Sequence, residues 1–214
     1  ELSPTFDDLV IENNTVIDGH SGVTVCPEVP GTGAAGIRNL VIRGNRFIGT
    51  GYFCPAPWSA QAGSVSITGG DLGNKTVGPA IFQNIVVENN TFEDINGPSI
   101  VVASAQGVRI SGNTFDRVMT VRPNGTGSSF GIAGDALVWI AKSNDITASE
   151  NHILAPGAFL KTTVAGKNLG PALLATLRQG FYTVLKAGSP ATSATSFHPG
   201  ELWPDENGLH LNAH

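Results

Sequence analysis

LVIENNTVI (Leu9–Ile17), LVIRGNRFI (Leu40–Ile48), IVVENNTFE (Ile85–Glu93), VRISGNTFD (Val108–Asp116) and ITASENHIL (Ile146–Leu154) are five versions of one phrase. Aligned on Asn14, Asn45, Asn90, Asn113 and Asn151, the copies lie 31, 45, 23 and 38 positions apart. The shortest spacing is the length of one solenoid turn and too short for a helix pair, and the longer ones read as the same unit carrying insertions. Within each copy apolar residues alternate with polar ones, as in a strand with one buried face. Leu9 and Ile11, Leu40 and Ile42, Ile85 and Val87, and Val108 and Ile110 point inward before the asparagine; Val16, Phe47, Phe92, Phe115 and Ile153 point inward after it. A further strand follows four of the copies, in GVTVC from Gly22, SVSIT from Ser64, SIVVA from Ser99 and ALVWI from Ala136. Stacking such units brings like residues together at the strand spacing of about 4.8 Å, with the asparagines as a hydrogen-bonded ladder along one corner. The expected fold is all-β: a right-handed parallel β-helix solenoid of about five recognisable coils plus a C-terminal capping segment.

The rhythm predicts coils with inserted loops over residues 1–154 and a cap and tail over 155–214. GPALLATLRQGFYTVL from Gly170 reads as a short helix or another strand, in keeping with the cover a last coil requires. The N-terminal end has no such cover, and Glu1 is not an initiator methionine. An unprotected first coil exposes strand edges, so the expectation is a longer β-helix, completed by a preceding segment or by a separate N-terminal chain.

Composition bounds the function. Hydrophobic residues are 41% and charged residues 14%, with 27 glycines and 13 prolines, which suits a turn-rich β protein. The formal net charge is −5 and the basic residues are scattered, so neither nucleic acid nor an anionic membrane is an expected partner. No apolar run approaches the roughly 20 residues of a membrane helix. Four Asn-X-Ser/Thr sequons, at Asn13, Asn74, Asn89 and Asn124, and two cysteines, Cys26 and Cys54, point to a secreted glycoprotein with those cysteines joined as a disulfide. The alternative is a chain whose sequons come with the repeated NNT and whose cysteines are buried thiols. No histidine pair, CxxC or dense aspartate run has metal-ligand spacing, and the GTGAAG from Gly31 lacks the strand-to-helix setting of a dinucleotide site, so neither metal nor cofactor is expected.

The insertions from Cys26, Gly49, Gly69 and Thr120 fall between strands of neighbouring coils and carry the candidate chemistry. Trp58, with Tyr52 and Phe53, can stack on sugar rings. Asp18, Glu28, Asp71, Glu93, Asp94 and Asp135 are the carboxylates near such a groove, and glycoside hydrolysis requires two, one as acid and one as base or nucleophile. We take Asp18, Glu28 and Asp71 as candidate catalytic residues and Trp58, His20 and Asp94 as candidate substrate contacts. A non-catalytic glycan-binding or surface interaction module is a second reading, using the outward row Thr24, Ser66, Val101 and Trp139 as its contact face. A polysaccharide lyase is the third, with Arg38, Arg43 and Arg46 as its basic group.

From Phe6 to Leu154 the repeats resemble those of the pectate-lyase and polygalacturonase superfamily. More narrowly, NNTVIDGHSGVTVCPEVP, then IRNLVIRGNRF, then a cysteine-containing insertion and GSVSITGG, are similar to the inverting α-1,3-galactosidases and their relatives. The resemblance implies a carbohydrate-active β-helix, a secreted glycoside hydrolase acting on galactosides by carboxylate chemistry with a glycan as its partner. The chain departs from that family where the family's catalytic GDD segment belongs: its one Asp-Asp is Asp7-Asp8, at the leading edge of a repeat, and AGDALVWIA at Asp135 lacks the second aspartate. The polygalacturonase signatures NTD, GHG and RIK are absent.

Overall fold

The structure is a computed structural model that describes residues 6–25, 37–51, 63–68, 82–123 and 132–184, and the backbone of 202–205 and 208–211. In chain order the first twelve strands are β1 Asp7–Glu12, β2 Thr15–Ile17, β3 Val23–Val25, β4 Arg38–Arg43, β5 Arg46–Ile48, β6 Val65–Ile67, β7 Phe82–Glu88, β8 Thr91–Glu93, β9 Ile100–Ala103, β10 Ala105–Ser111, β11 Thr114–Asp116 and β12 Ala136–Ala141. They are followed by β13 Asn144–Ser149, β14 Asn151–Ile153, β15 Thr162–Lys167, helix α1 Pro171–Arg178, β16 Phe181–Thr183, and an antiparallel pair β17 Leu202–Asp205 and β18 Gly208–Leu211.

Three parallel sheets account for all strands except that last pair. The first is ordered β1-β4-β7-β10-β13, the second β2-β5-β8-β11-β14-β16 and the third β3-β6-β9-β12-β15. The chain therefore visits the three sheets in strict rotation and steps one strand along each at every circuit. The repeated phrase is the passage from the first sheet to the second.

The amide ladder holds that passage in register. The backbone N–H and the Nδ2 of Asn14 both donate to Asn45 Oδ1, those of Asn45 to Asn90 Oδ1, those of Asn90 to Asn113 Oδ1 and those of Asn113 to Asn151 Oδ1, all at 3.0–3.2 Å. Each interior Nδ2 also donates to a carbonyl of the coil before it: Asn45 to Ile11, Asn90 to Ile42, Asn113 to Val87 and Asn151 to Ile110. These four asparagines are buried to 1% exposure or less, which is tolerable only because the amides are bonded. Inside the ladder, Phe47, Phe92 and Phe115 stack with ring centroids 5.3 and 5.0 Å apart, and Phe181 continues the row at 5.9 Å. The inward positions read from the alternation form one continuous core with them.

Sharp bends between sheets are made by single residues in the left-handed region, where only Gly, Asn and Asp sit at little cost. Asn13, Gly44, Asn89, Gly112 and Glu150, one residue ahead of each ladder asparagine, have φ between 53 and 64°. A Cβ at Gly112 would stand 2.3 Å from Asn89 Oδ1, so a side chain there requires the Asn89 amide to move. A second such bend was not anticipated from the sequence. Asp8, Asn39, Asn84, Gly107 and Asp145, each inside a strand of the first sheet, have φ of 51 to 72° and drop out of the pairing register. There, Asn84 Nδ2 donates to Asn39 Oδ1 and Asn39 Nδ2 to Asp8 Oδ1, both at 3.0 Å.

The segment after Asn151 is both helix and strand. Helix α1 starts at Pro171, which supplies no N–H and so suits a first turn. It buries Leu177 and packs on β13 and β15, standing where a sixth strand of the first sheet would lie. The chain then returns as β16, and the Gly180 carbonyl accepts from both the backbone N–H (3.0 Å) and Nδ2 (3.1 Å) of Asn151. A backbone carbonyl thus ends the ladder in place of another asparagine. Gly180 is required there, because a Cβ would lie 2.2 Å from the Ala148 carbonyl oxygen.

Replacing Asn90 by alanine strips partners from Asn45, Asn113 and Ile42 at once, and unsatisfied buried polar groups cost about 1–3 kcal/mol each. Asn90→Ala is expected to lose about 3 kcal/mol or more in urea unfolding, whereas exposed Asn14→Ala loses less than about 1 kcal/mol. Equal losses at the two positions would refute the ladder as the source of register.

Candidate functional site

Side chains on the outer face of the second sheet form regular rows, because each strand presents the same positions outward. Pairing aligns Thr15, Arg46, Thr91, Thr114, His152 and Tyr182 in one row. Ile17, Ile48, Glu93 and Asp116 form the next. Asp18, Gly49, Asp94 and Arg117, each the left-handed residue that turns the chain out of this sheet, form a third at φ of 53 to 59°. Asp18 and Asp94, selected separately from sequence, are thus equivalent residues two coils apart.

These rows bring five charged side chains into one network. Arg46 binds Glu93 through two hydrogen bonds, Nε to Oε1 at 2.7 Å and Nη2 to Oε2 at 2.9 Å. Arg117 donates from Nε to Asp94 Oδ1 at 2.8 Å and from Nη2 to Asp94 Oδ2 at 3.1 Å. It also reaches Glu93 Oε2 at 3.4 Å and is bonded to Asp116. The Arg46 hydrogen bond holds the Glu93 carboxyl below its ordinary range, against the opposing effect of partial burial, with both arginine charges adding to the effect. The same bond raises Arg46, and the hydrogen bond to Asp94 raises Arg117. At the far end of the first row, His152 and Tyr182 lie with ring centroids 6.3 Å apart, and Tyr182 is exposed.

This arrangement is suited to holding hydroxyl groups rather than to giving up protons. A general acid at neutral pH requires a raised pKa, and Glu93 is shifted the other way. Asp94 and Asp116 share the Arg117 guanidinium. Asp18 is an exposed corner residue whose Oδ1 lies over Gly49, 2.6 Å from where a Cβ would be, so the backbone conformation by itself explains an aspartate there. His20 is exposed, and its carbonyl accepts from the Gly51 N–H at 3.1 Å. Asn13 and Asn89 are exposed at the ladder corner. Glu28, Asp71, Trp58, Cys26, Cys54, Asn74 and Asn124 lie outside the described residues. Among those described, no group of three His, Cys, Asp or Glu side chains is placed to hold a metal ion, and no helix is long and apolar enough to cross a membrane.

Two expectations are corrected. The row Thr24, Ser66, Val101 and Trp139 does align on the third sheet, but it is not an open contact face. Ser66 and Val101 are fully buried and Trp139 is 2% exposed, since Val101 and Trp139 join Ala103, Ala141 and Ile132 in a second apolar cluster outside the sheet. The arginines Arg38, Arg43 and Arg46 do not form a basic group. Arg38 and Arg43 are on the first sheet facing Asp7 and Glu12, and Arg46 is on the second facing Glu93. Sequence reading missed the Arg46–Glu93–Arg117–Asp94 network because its directly bonded members are 23 to 47 residues apart. The signal available was register: once the ladder asparagines are aligned, the four residues fall on adjacent coils.

No family model, curated protein or solved structure matches the chain.

Because Glu93 is lowered in the folded state, its ion pair stabilises the fold above the unfolded-state pKa of about 4.3, and that contribution is lost as pH falls through the lowered folded value. Glu93→Gln is therefore expected to have a lower urea midpoint than wild type at pH 7 and the same midpoint at pH values below the folded pKa. A gap independent of pH would refute the pairing.

Proposed function

We propose that the three sheets wind as a right-handed parallel β-helix and that the protein is a secreted glycoside hydrolase acting on galactosides or related glycans. The observation that carries the winding is the strict rotation of successive strands through three parallel sheets. The hand follows from the near-universal right-handedness of parallel crossovers. The activity rests on the resemblance over Phe6–Leu154, supported by a flat outer face on which threonines, charged pairs, His152 and Tyr182 repeat at coil spacing beside one another. Asp18, Glu28 and Asp71 are the proposed catalytic carboxylates, with Trp58, His20 and Asp94 as sugar contacts. Secretion with glycans on Asn13, Asn74, Asn89 and Asn124 and a Cys26–Cys54 disulfide belongs to the same reading.

One observation favours a second reading, a β-helix that binds glycans without cleaving them. Glu93, Asp94 and Asp116 are all engaged by arginine as charged pairs suited to recognising hydroxyls, and Glu93 is shifted away from the range of an acid.

A panel of galactosides and galactans separates the two. Hydrolysis releases reducing sugar with no rise in ultraviolet absorbance from unsaturated product, and Asp18→Ala, Glu28→Ala and Asp71→Ala combined are expected to reduce release at least a hundredfold. Wild-type activity in that triple variant overturns the site assignment. Retention on immobilised galactan without release of sugar selects the binding reading.

A further inference from the structure

We infer that the open end of the stack at β1, β2 and β3 is a docking surface for a further coil, a partner polypeptide segment that brings its own asparagine to the corner beside Asn14. This goes beyond the glycan reading and does not depend on it.

The two ends of the ladder are chemically different. Along the ladder itself, from Asn14 to Asn113, the backbone N–H and one Nδ2 hydrogen are donated toward the C-terminal end, and each accepting Oδ1 faces the N-terminal end. At the C-terminal end the last donors, from Asn151, are taken by the Gly180 carbonyl, and α1 covers β13. At the other end, Asn14 Oδ1 accepts from nothing among the described residues, while Asn45, Asn90, Asn113 and Asn151 each accept two hydrogen bonds at the same atom. Asn14 Nδ2 donates to the Glu12 carbonyl at 2.9 Å, as Asn45 Nδ2 does to that of Arg43, but among the described residues it lacks the bond to a preceding coil's carbonyl that Asn45, Asn90, Asn113 and Asn151 each make.

The surroundings are unfinished in the same direction. Among the described residues, β1, β2 and β3 each have a neighbouring strand on one side only, so three parallel backbone edges end the stack together. Leu9, Ile11 and Val16 are only partly buried, whereas their register mates Leu40, Ile42 and Phe47 are fully buried. Val10 and Ile17, on the outer faces of the same two strands, are 49% and 62% exposed. Open edges beside exposed apolar side chains are what proteins cover.

The chemistry of this end specifies its occupant. An incoming coil must supply an N–H and an amide Nδ2 to Asn14 Oδ1, and, three residues before that asparagine, a carbonyl to accept from Asn14 Nδ2. Leu, Ile or Phe must fall at the inward positions on either side, as Leu40, Ile42 and Phe47 do around Asn45. A second copy of this chain fits poorly. Meeting edge to edge, two copies would set Asn14 Oδ1 against Asn14 Oδ1, acceptor to acceptor, and the donor end of the ladder is already occupied by Gly180.

The probe is a 23-residue peptide copying Phe82–Ser104, the shortest circuit, added to the full chain and followed by amide hydrogen exchange. The same 23 residues inserted between Thr5 and Phe6 give a second arm that removes the entropy of association, since Ala105, the residue that follows them, lies one circuit beyond Phe82 and shares the register position of Phe6. Slowing of exchange in β1 and β2 by tenfold or more in either arm, abolished when leucine replaces the asparagine copied from Asn90, is the expected result. Protection in neither arm overturns the proposal. So does an unmodified monomer whose β1 amides already exchange as slowly as those of β4, since the chain's own residues then cover the edge. Protection that rises with protein concentration alongside a dimeric mass overturns it in favour of a second copy.

Discussion

A side-chain amide buried in a protein interior must use both its oxygen and its nitrogen, and this fold turns that requirement into a register device. Each buried ladder asparagine spends its Oδ1 on the coil before it and its N–H on the coil after it, so a coil displaced by one residue would leave two coils with orphaned groups. A one-residue slip would also turn every inward side chain outward. The phenylalanine stack follows from the ladder: with Asn45, Asn90 and Asn113 in line, the residues two positions later must lie one above another, and Phe47, Phe92 and Phe115 do.

Fixing register at one corner frees the rest of the circuit to vary in length. Successive ladder asparagines are separated by 31, 45, 23 and 38 residues, yet the pairing in all three sheets is unbroken. Loop closure entropy rises only as the logarithm of length, by about 0.6 kcal/mol per doubling, so an added dozen residues costs little beside the buried bonds that hold the corner. The bends themselves are equally economical. Each is one left-handed residue, and Asn, Asp or Gly fills most of these positions, with Ser104, Arg117, Lys142 and Glu150 as costlier exceptions.

The ladder and the inward faces were legible in the sequence because they recur: five aligned asparagines and a period of two fix both without knowledge of any partner. The bend inside the first sheet recurs just as faithfully at Asp8, Asn39, Asn84, Gly107 and Asp145, but a polar residue ahead of an apolar alternation looks like an ordinary solvent-facing position, and nothing in residue type separates the two. The burial of Val101 and Trp139 was not legible for a different reason. What covers them includes Ile132 and Ala133, residues outside the periodic strands that carry no repeat signal. GPALLATLRQGFYTVL left helix and strand open because each half has its own answer: Pro171–Arg178 replaces a strand and Phe181–Thr183 is one.

The charged network bears on where chemistry can reside on such a body. Residues on adjacent coils lie about 4.8 Å apart, close enough that a carboxylate on the outer face meets whatever the next coil offers. When that is an arginine, as for Glu93, the carboxyl is held below its ordinary range, which helps the surface and disables an acid. A proton donor for glycoside cleavage requires the reverse, an apolar or anionic neighbourhood that keeps a carboxyl protonated. Regular rows favour the first environment, because mixed charge along a row is self-neutralising. The second is built more readily by inserted segments, whose residues are not bound to the repeat and can be brought over a carboxylate from outside the sheets. On such a body a repeat favours a fixed polar track, and a carboxyl kept protonated requires neighbours that break the repeat.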